Sequence, residues 1–119
     1  MGLFGKRESK PEVVVLQEGM LSLAPARSGS DLTVTLIGNL NGVTAPLLED
    51  YVSGLDAGIA ALHMNFSRLE YISSAGLRVL LQCMRLLERR GAKMNITDVP
   101  DNIREILTIS GFGVLLEMN

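Results

Sequence analysis

Tyr71-Ile72-Ser73-Ser74-Ala75-Gly76-Leu77-Arg78-Val79-Leu80-Leu81 is the stretch on which the fold turns. Two hydroxyl residues stand at the mouth of a helical pattern, followed by the two smallest residues and then a strong apolar stripe. Leu77, Leu80, Leu81, Met84 and Leu87 recur at helical spacing, and Val79, Cys83 and Leu86 widen the stripe. Arg78, Gln82, Arg85 and Arg89 form a narrow polar seam. So wide an apolar arc requires contact on more than one side, with a sheet and with a neighbouring element. The spacing predicts a helix from about Ser74 to Arg90, stopped by Gly91.

The hydroxyl pair has two compatible readings. As a cap, one serine oxygen accepts a hydrogen bond from an early helix N–H and adds about 1 kcal/mol. As a switch, a serine at a helix N-terminus takes a phosphate well, because unpaired N–H groups and a partial positive charge meet it there. One serine can cap while its neighbour stays exposed. Gly76 costs about 1 kcal/mol relative to Ala inside a helix, so something is expected to approach closely at that position.

Outward from this stretch, strands and helices alternate. Val13–Leu16 and Met20–Ala24, on either side of Glu18-Gly19, read as a hairpin or a bent strand, and Pro25 to Ser30 as a turn or loop. Leu32–Gly38 alternates as a half-buried strand. Asn39 to Val43 is a loop, and Thr44 with Pro46 marks a helix start. Leu47, Leu48, Tyr51, Val52 and Leu55 supply that helix's apolar face, and Gly58 its end. Ile59–Phe66 reads as a central strand, and Ser67 to Glu70 as a short connection. Beyond the long helix come a strand at Lys93–Thr97, a helix carrying Ile103, Ile106 and Leu107 that closes at Ser110-Gly111, and a short final apolar segment from Phe112 to Met118, strand or helix. Strands separated by single helices imply crossovers and parallel pairing, while the opening hairpin adds an antiparallel partner. The expected fold is one α/β domain over residues 12–119, with a mixed sheet of four or five strands and three to four helices. Residues 1–11 form a polar leader expected to be disordered.

Composition narrows the function. The 119 residues carry eleven Lys and Arg against thirteen Asp and Glu, a net charge of −2, and 47% of them are hydrophobic. That balance offers no electrostatic footprint for nucleic acid and no polybasic membrane patch. No apolar run reaches the roughly eighteen residues that span a bilayer. Cys83 is the single cysteine and His63 the single histidine, which leaves no disulfide framework, cysteine cluster or multi-histidine zinc site. His63 reads as a structural strand residue and Cys83 as core. There is no Walker loop, and Gly111-Phe112-Gly113 lacks the third glycine of a dinucleotide fingerprint. No catalytic constellation, cofactor or metal is expected, and the chain reads as a cytoplasmic, non-enzymatic domain.

Tyr71 to Leu81 resembles the signature of the STAS domain, the fold of the anti-sigma factor antagonists, in which Asp-Ser-Ser-Gly-Leu or Asp-Ser-Thr-Gly-Leu opens a helix. Gly38-Asn39-Leu40-Asn41-Gly42-Val43-Thr44-Ala45-Pro46 resembles the family's first motif, Gly-x-Leu-Asp followed by Thr-Ala. Ile106-Leu107-Thr108-Ile109-Ser110-Gly111-Phe112 resembles its helix-ending Ser-Gly-Leu/Phe element. The three motifs stand in the family's order and spacing.

The resemblance implies a bacterial regulator that switches partners. It docks to an anti-sigma factor, often a serine kinase, and releases the sigma factor; phosphorylation turns it off and a phosphatase restores it. The phosphoacceptor position falls on Ser74, with Asn41, Thr44, Ser73, Ala75, Gly76 and Arg78 at the partner-binding surface. Ser73 and Asn41 replace the family's two aspartates, removing carboxylates expected near the acceptor. That change either eases acceptance of a phosphate or removes groups a kinase recognises. Direct binding to nucleic acid or insertion into a membrane is not implied. The other reading is a STAS subunit that stays, without phosphorylation, in a membrane lipid or anion transporter or a sensory scaffold. Nucleotide or small-ligand binding in the loops around Asn41 and Ser74 is a third, without a phosphate-binding glycine loop to support it.

Overall fold

Hydrophobic alternation along the strands sorts their side chains into one buried and one half-exposed row. The computed structural model describes residues 12–112 and the backbone of Glu117 and Met118. The leader, residues 1–11, lies outside the described residues, as does the middle of the last apolar segment. The elements run β1 (Val14–Gln17), β2 (Leu21–Ser28), β3 (Asp31–Leu40), α1 (Ala45–Ser53), β4 (Ala61–Ile72), α2 (Ser74–Arg89), β5 (Lys93–Thr97), α3 (Asp101–Ile109) and the two-residue β6 (Glu117–Met118). Spatial order in the sheet follows chain order, with β1–β2 and β2–β3 antiparallel and the later pairs parallel. Five strands thus make the expected mixed sheet, and β6 adds a short edge.

Leu21, Leu23, Val34, Leu36, Leu62, Met64, Phe66, Met94 and Ile96 point to one face of the sheet. They join Leu48 and Val52 of α1, Leu77, Leu80 and Leu87 of α2, and Ile103 and Leu107 of α3 in a single core. All three helices therefore cover the same face. The opposite face carries Ser22, Thr33, Thr35, His63 and Asn95, all half-buried. There the side-chain amide of Asn95 lies 2.9 Å from His63 Nδ1, a structural setting for the only histidine.

The Pro25–Ser30 stretch departs from the expected loop: β2 continues through Pro25, opposite Val34, to Ser28. The proline is tolerated because β1 pairs only as far as Leu23, so one side of β2 is open beyond that residue. Ser67 to Glu70 is also strand, not connection. The register of β3 on β4 slips by one residue after Thr35–Asn65 and again after Gly38–Leu69, so β4 holds two extra residues. Each bulge breaks the two-residue alternation, which is why this half of β4 does not read as strand. Helix α1 stops at Gly54, earlier than Gly58. Arg90 holds that end, donating to the carbonyls of Ser53 at 2.6 Å and Leu55 at 3.0 Å.

Helix α2 ends as its glycine implies. Gly91 adopts a φ of 77°, its N–H donates to Glu88 O, and Ala92 N–H donates to Leu87 O. These two bonds make a Schellman cap.

Candidate functional site

The C-terminal ends of β3 and β4 lie side by side, Asn39 opposite Tyr71 and Leu40 opposite Ile72. Each strand hands over to a helix there, so the loop before α1 and the N-terminus of α2 share one end of the sheet. In open α/β sheets this end is the usual place for ligands and partners.

The turn into α2 is held by a short chain of bonds. Ser73 N–H donates to Leu40 O at 3.0 Å, and Leu77 N–H donates to Ser73 O at 2.9 Å. Ser73 is extended, with φ −100° and ψ 177°, and its Oγ accepts from Gly76 N–H at 3.3 Å. The hydroxyl pair therefore divides its roles. Ser73 is the cap, while Ser74 is the first helical residue, exposed, with a hydroxyl that takes no hydrogen bond among the described residues.

Gly76 has the close neighbour its position suggests. A Cβ there would sit 2.6 Å from Leu40 O and 2.8 Å from Ile72 Cγ1. The absent side chain lets the first turn of α2 rest against the ends of β3 and β4.

The facing loop is tied by Asn41 and Thr44. Asn41 Oδ1 accepts from Val43 N–H at 3.0 Å and Thr44 N–H at 3.2 Å. Thr44 Oγ1 accepts from Asn41 N–H and donates to Asn39 O, each at 2.9 Å. Thr44 does occupy the cap position of α1, but its side chain makes no cap bond. Its backbone is already helical, with φ −88° and ψ −20°, so the hydroxyl turns back into the loop; a capping hydroxyl needs extended backbone to reach forward. At 0% exposure, Thr44 is the one buried polar residue among the described residues, and it is fully bonded.

Six of the seven residues singled out from the sequence—Asn41, Thr44, Ser73, Ser74, Ala75 and Gly76—fall within these two turns. Arg78 stands one helical turn beyond Ser74. Thr44 and Gly76 are buried and shape the surface from beneath, whereas Asn41, Ser73, Ser74, Ala75 and Arg78 reach it. Between α1 and α2 lies an open crevice of about 250 Å³, lined by Ala45, Pro46 and Glu49 on one wall and Ala75, Arg78 and Gln82 on the other. Two features escaped the sequence reading. Val43 and Tyr71 are apolar yet 54% and 52% exposed at this same end of the sheet. An apolar residue inside a polar turn, as Val43 is, was the available signal.

Cys83, on the buried side of α2, is wholly enclosed. Burial, helped by the nearby Glu49 carboxylate, pushes its thiol up to about 12. The thiol stays protonated and unreactive. Among the described residues no three His, Cys, Asp or Glu side chains lie together as a metal site, and no helix is long and apolar enough to cross a membrane.

The STAS domain family model matches residues 23–118. A protein of Bordetella bronchiseptica named "Putative anti-sigma factor antagonist BtrV" is 34% identical over 82 residues, covering 68% of this chain and 71% of that protein. The crystal structure of an anti-sigma factor antagonist from Mycobacterium paratuberculosis superposes with a TM-score of 0.72 at 19% identity, over 86% of this chain and 87% of that one. The sulfate transporter family protein from Wolinella succinogenes gives a TM-score of 0.68 at 18% identity, over 76% and 75% of the two chains. At such identities the two structural likenesses are likenesses of fold.

Proposed function

The chain belongs to the STAS domain family, and from that premise we propose that it is an anti-sigma factor antagonist switched by phosphorylation of Ser74. In its unmodified form it docks to an anti-sigma factor of the serine-kinase type and so releases a sigma factor. The observation that carries this reading is the division of the hydroxyl pair. Ser73 caps α2 and leaves Ser74 exposed and unbonded at the helix mouth.

The chemistry suits that position. Transfer forms the Ser74 Oγ–P bond as the bond from the γ-phosphorus of ATP to its bridging oxygen breaks. ADP leaves, and the hydroxyl proton passes to a base on the kinase. The product adds a charge of about −1.5 to −2 at a helix end whose free N–H groups tolerate it, so the fold survives the modification. A partner seated on this surface must then desolvate the new charge, and docking weakens. Ala75 is small enough to let a kinase site close on the hydroxyl. Asn41, Ser73 and Arg78 border the docking surface, with Thr44 and Gly76 supporting it.

The test is incubation with an anti-sigma factor serine kinase and ATP, followed by mapping of the phosphosite and titration of the complex. Phosphate on Ser74 and weaker binding by Ser74→Asp are expected. Equal binding by wild type and Ser74→Asp, with Ser74 unmodified, would replace this reading by a STAS subunit held in a transporter or scaffold.

A further inference from the structure

The two walls of the crevice carry one acid and one base, Glu49 on α1 and Arg78 on α2. They do not pair: Arg78 is exposed and, among the described residues, makes neither an ion pair nor a hydrogen bond. Apart from these two, the crevice lining is uncharged. Arg90 is occupied at the end of α1, and Arg85 lies two turns further along α2.

We propose that Arg78 is the internal partner of a phosphate on Ser74. Positions i and i+4 of a helix share a face about 5–6 Å apart, and the acid-before-base order agrees with the helix dipole. An unpaired guanidinium one turn above the acceptor can offer two parallel N–H donors to phosphate oxygens. The inference rests on the Ser74 reading and adds its mode of action. Modification adds negative charge and also withdraws from the docking surface the one base that lines the crevice. The switch then works partly by occupying an arginine the partner would otherwise meet.

The test needs no kinase. Phosphoserine is placed at position 74 during synthesis of the full chain, and its second ionisation is followed by ³¹P NMR against pH. Arg78 favours the dianion, so the parent should ionise at a pH lower than the Arg78→Ala variant by about 0.3 unit or more. Arg78→Lys should fall between them, and Arg85→Ala should match the parent. Glu49 faces the same space and opposes the shift, so Glu49→Gln should lower the parent's value further. Identical titration of the parent and Arg78→Ala would overturn the proposal. Failure of the Ser74 reading would show separately, as a kinase that leaves Ser74 unmodified.

Discussion

Replacing Gly76 by alanine sets two effects of opposite sign against each other. Helix propensity favours alanine by up to about 1 kcal/mol. Against it, the added Cβ would lie 2.6 Å from Leu40 O, 2.8 Å from Ile72 Cγ1 and 3.0 Å from Leu40 Cγ. Leu40 O cannot retreat freely, because it accepts the Ser73 N–H that starts the turn. Overpacking of this kind costs about 1–3 kcal/mol, and weakening the Ser73 bond adds about 1 kcal/mol. The net expectation is a loss of about 2 kcal/mol, read as a lower urea midpoint at unchanged slope. Gly42→Ala is the control, since nothing lies within 4 Å of a Cβ there and its φ is not positive; it should be neutral or slightly stabilising. A Gly76→Ala protein as stable as wild type would refute the close approach of α2 to the strand ends.

Two further predictions concern the same helix. Ser73→Ala removes the cap bond to Gly76 N–H and should cost about 1 kcal/mol, measured by the same urea titration, with Ser74→Ala near neutral. The folded Cys83 thiol, at about 12, should resist iodoacetamide at pH 8, where only about one molecule in ten thousand carries the thiolate; rapid labelling of native protein would contradict its burial. Because the folded thiol ionises above the unfolded one, its contribution to stability is complete below about pH 8.5. It is lost progressively as pH rises toward 12, so Cys83→Ala should flatten the alkaline fall in stability.

How much of this was legible in the sequence depended on whether one period held. Helix α2 and β5 were readable almost to the residue, because Leu77 to Leu87 keep the helical spacing and Lys93–Thr97 is a clean alternation bounded by Gly91 and Asp98. The second half of β4 was not, because two bulges shift Ser67 to Glu70 out of alternation while leaving them paired to β3. Pro25 reads as a turn residue until the open side of β2 is known. At the site, residue types announced a cap and an exposed hydroxyl but could not say which serine does which. That follows from the extended backbone of Ser73, a consequence of its bond to Leu40 across the sheet. Thr44 failed as a cap for the converse reason, a helical backbone that turns its hydroxyl away. The crevice and the unpaired Arg78 arise only when α1 and α2 pack together, a contact no local pattern encodes.

The most direct measurement is a calorimetric titration of one anti-sigma factor with two forms of the chain, unmodified and carrying phosphoserine at position 74. The account predicts saturable binding of the unmodified form and at least about tenfold weaker binding of the phosphorylated one, equivalent to about 1.4 kcal/mol. Equal affinities would contradict it.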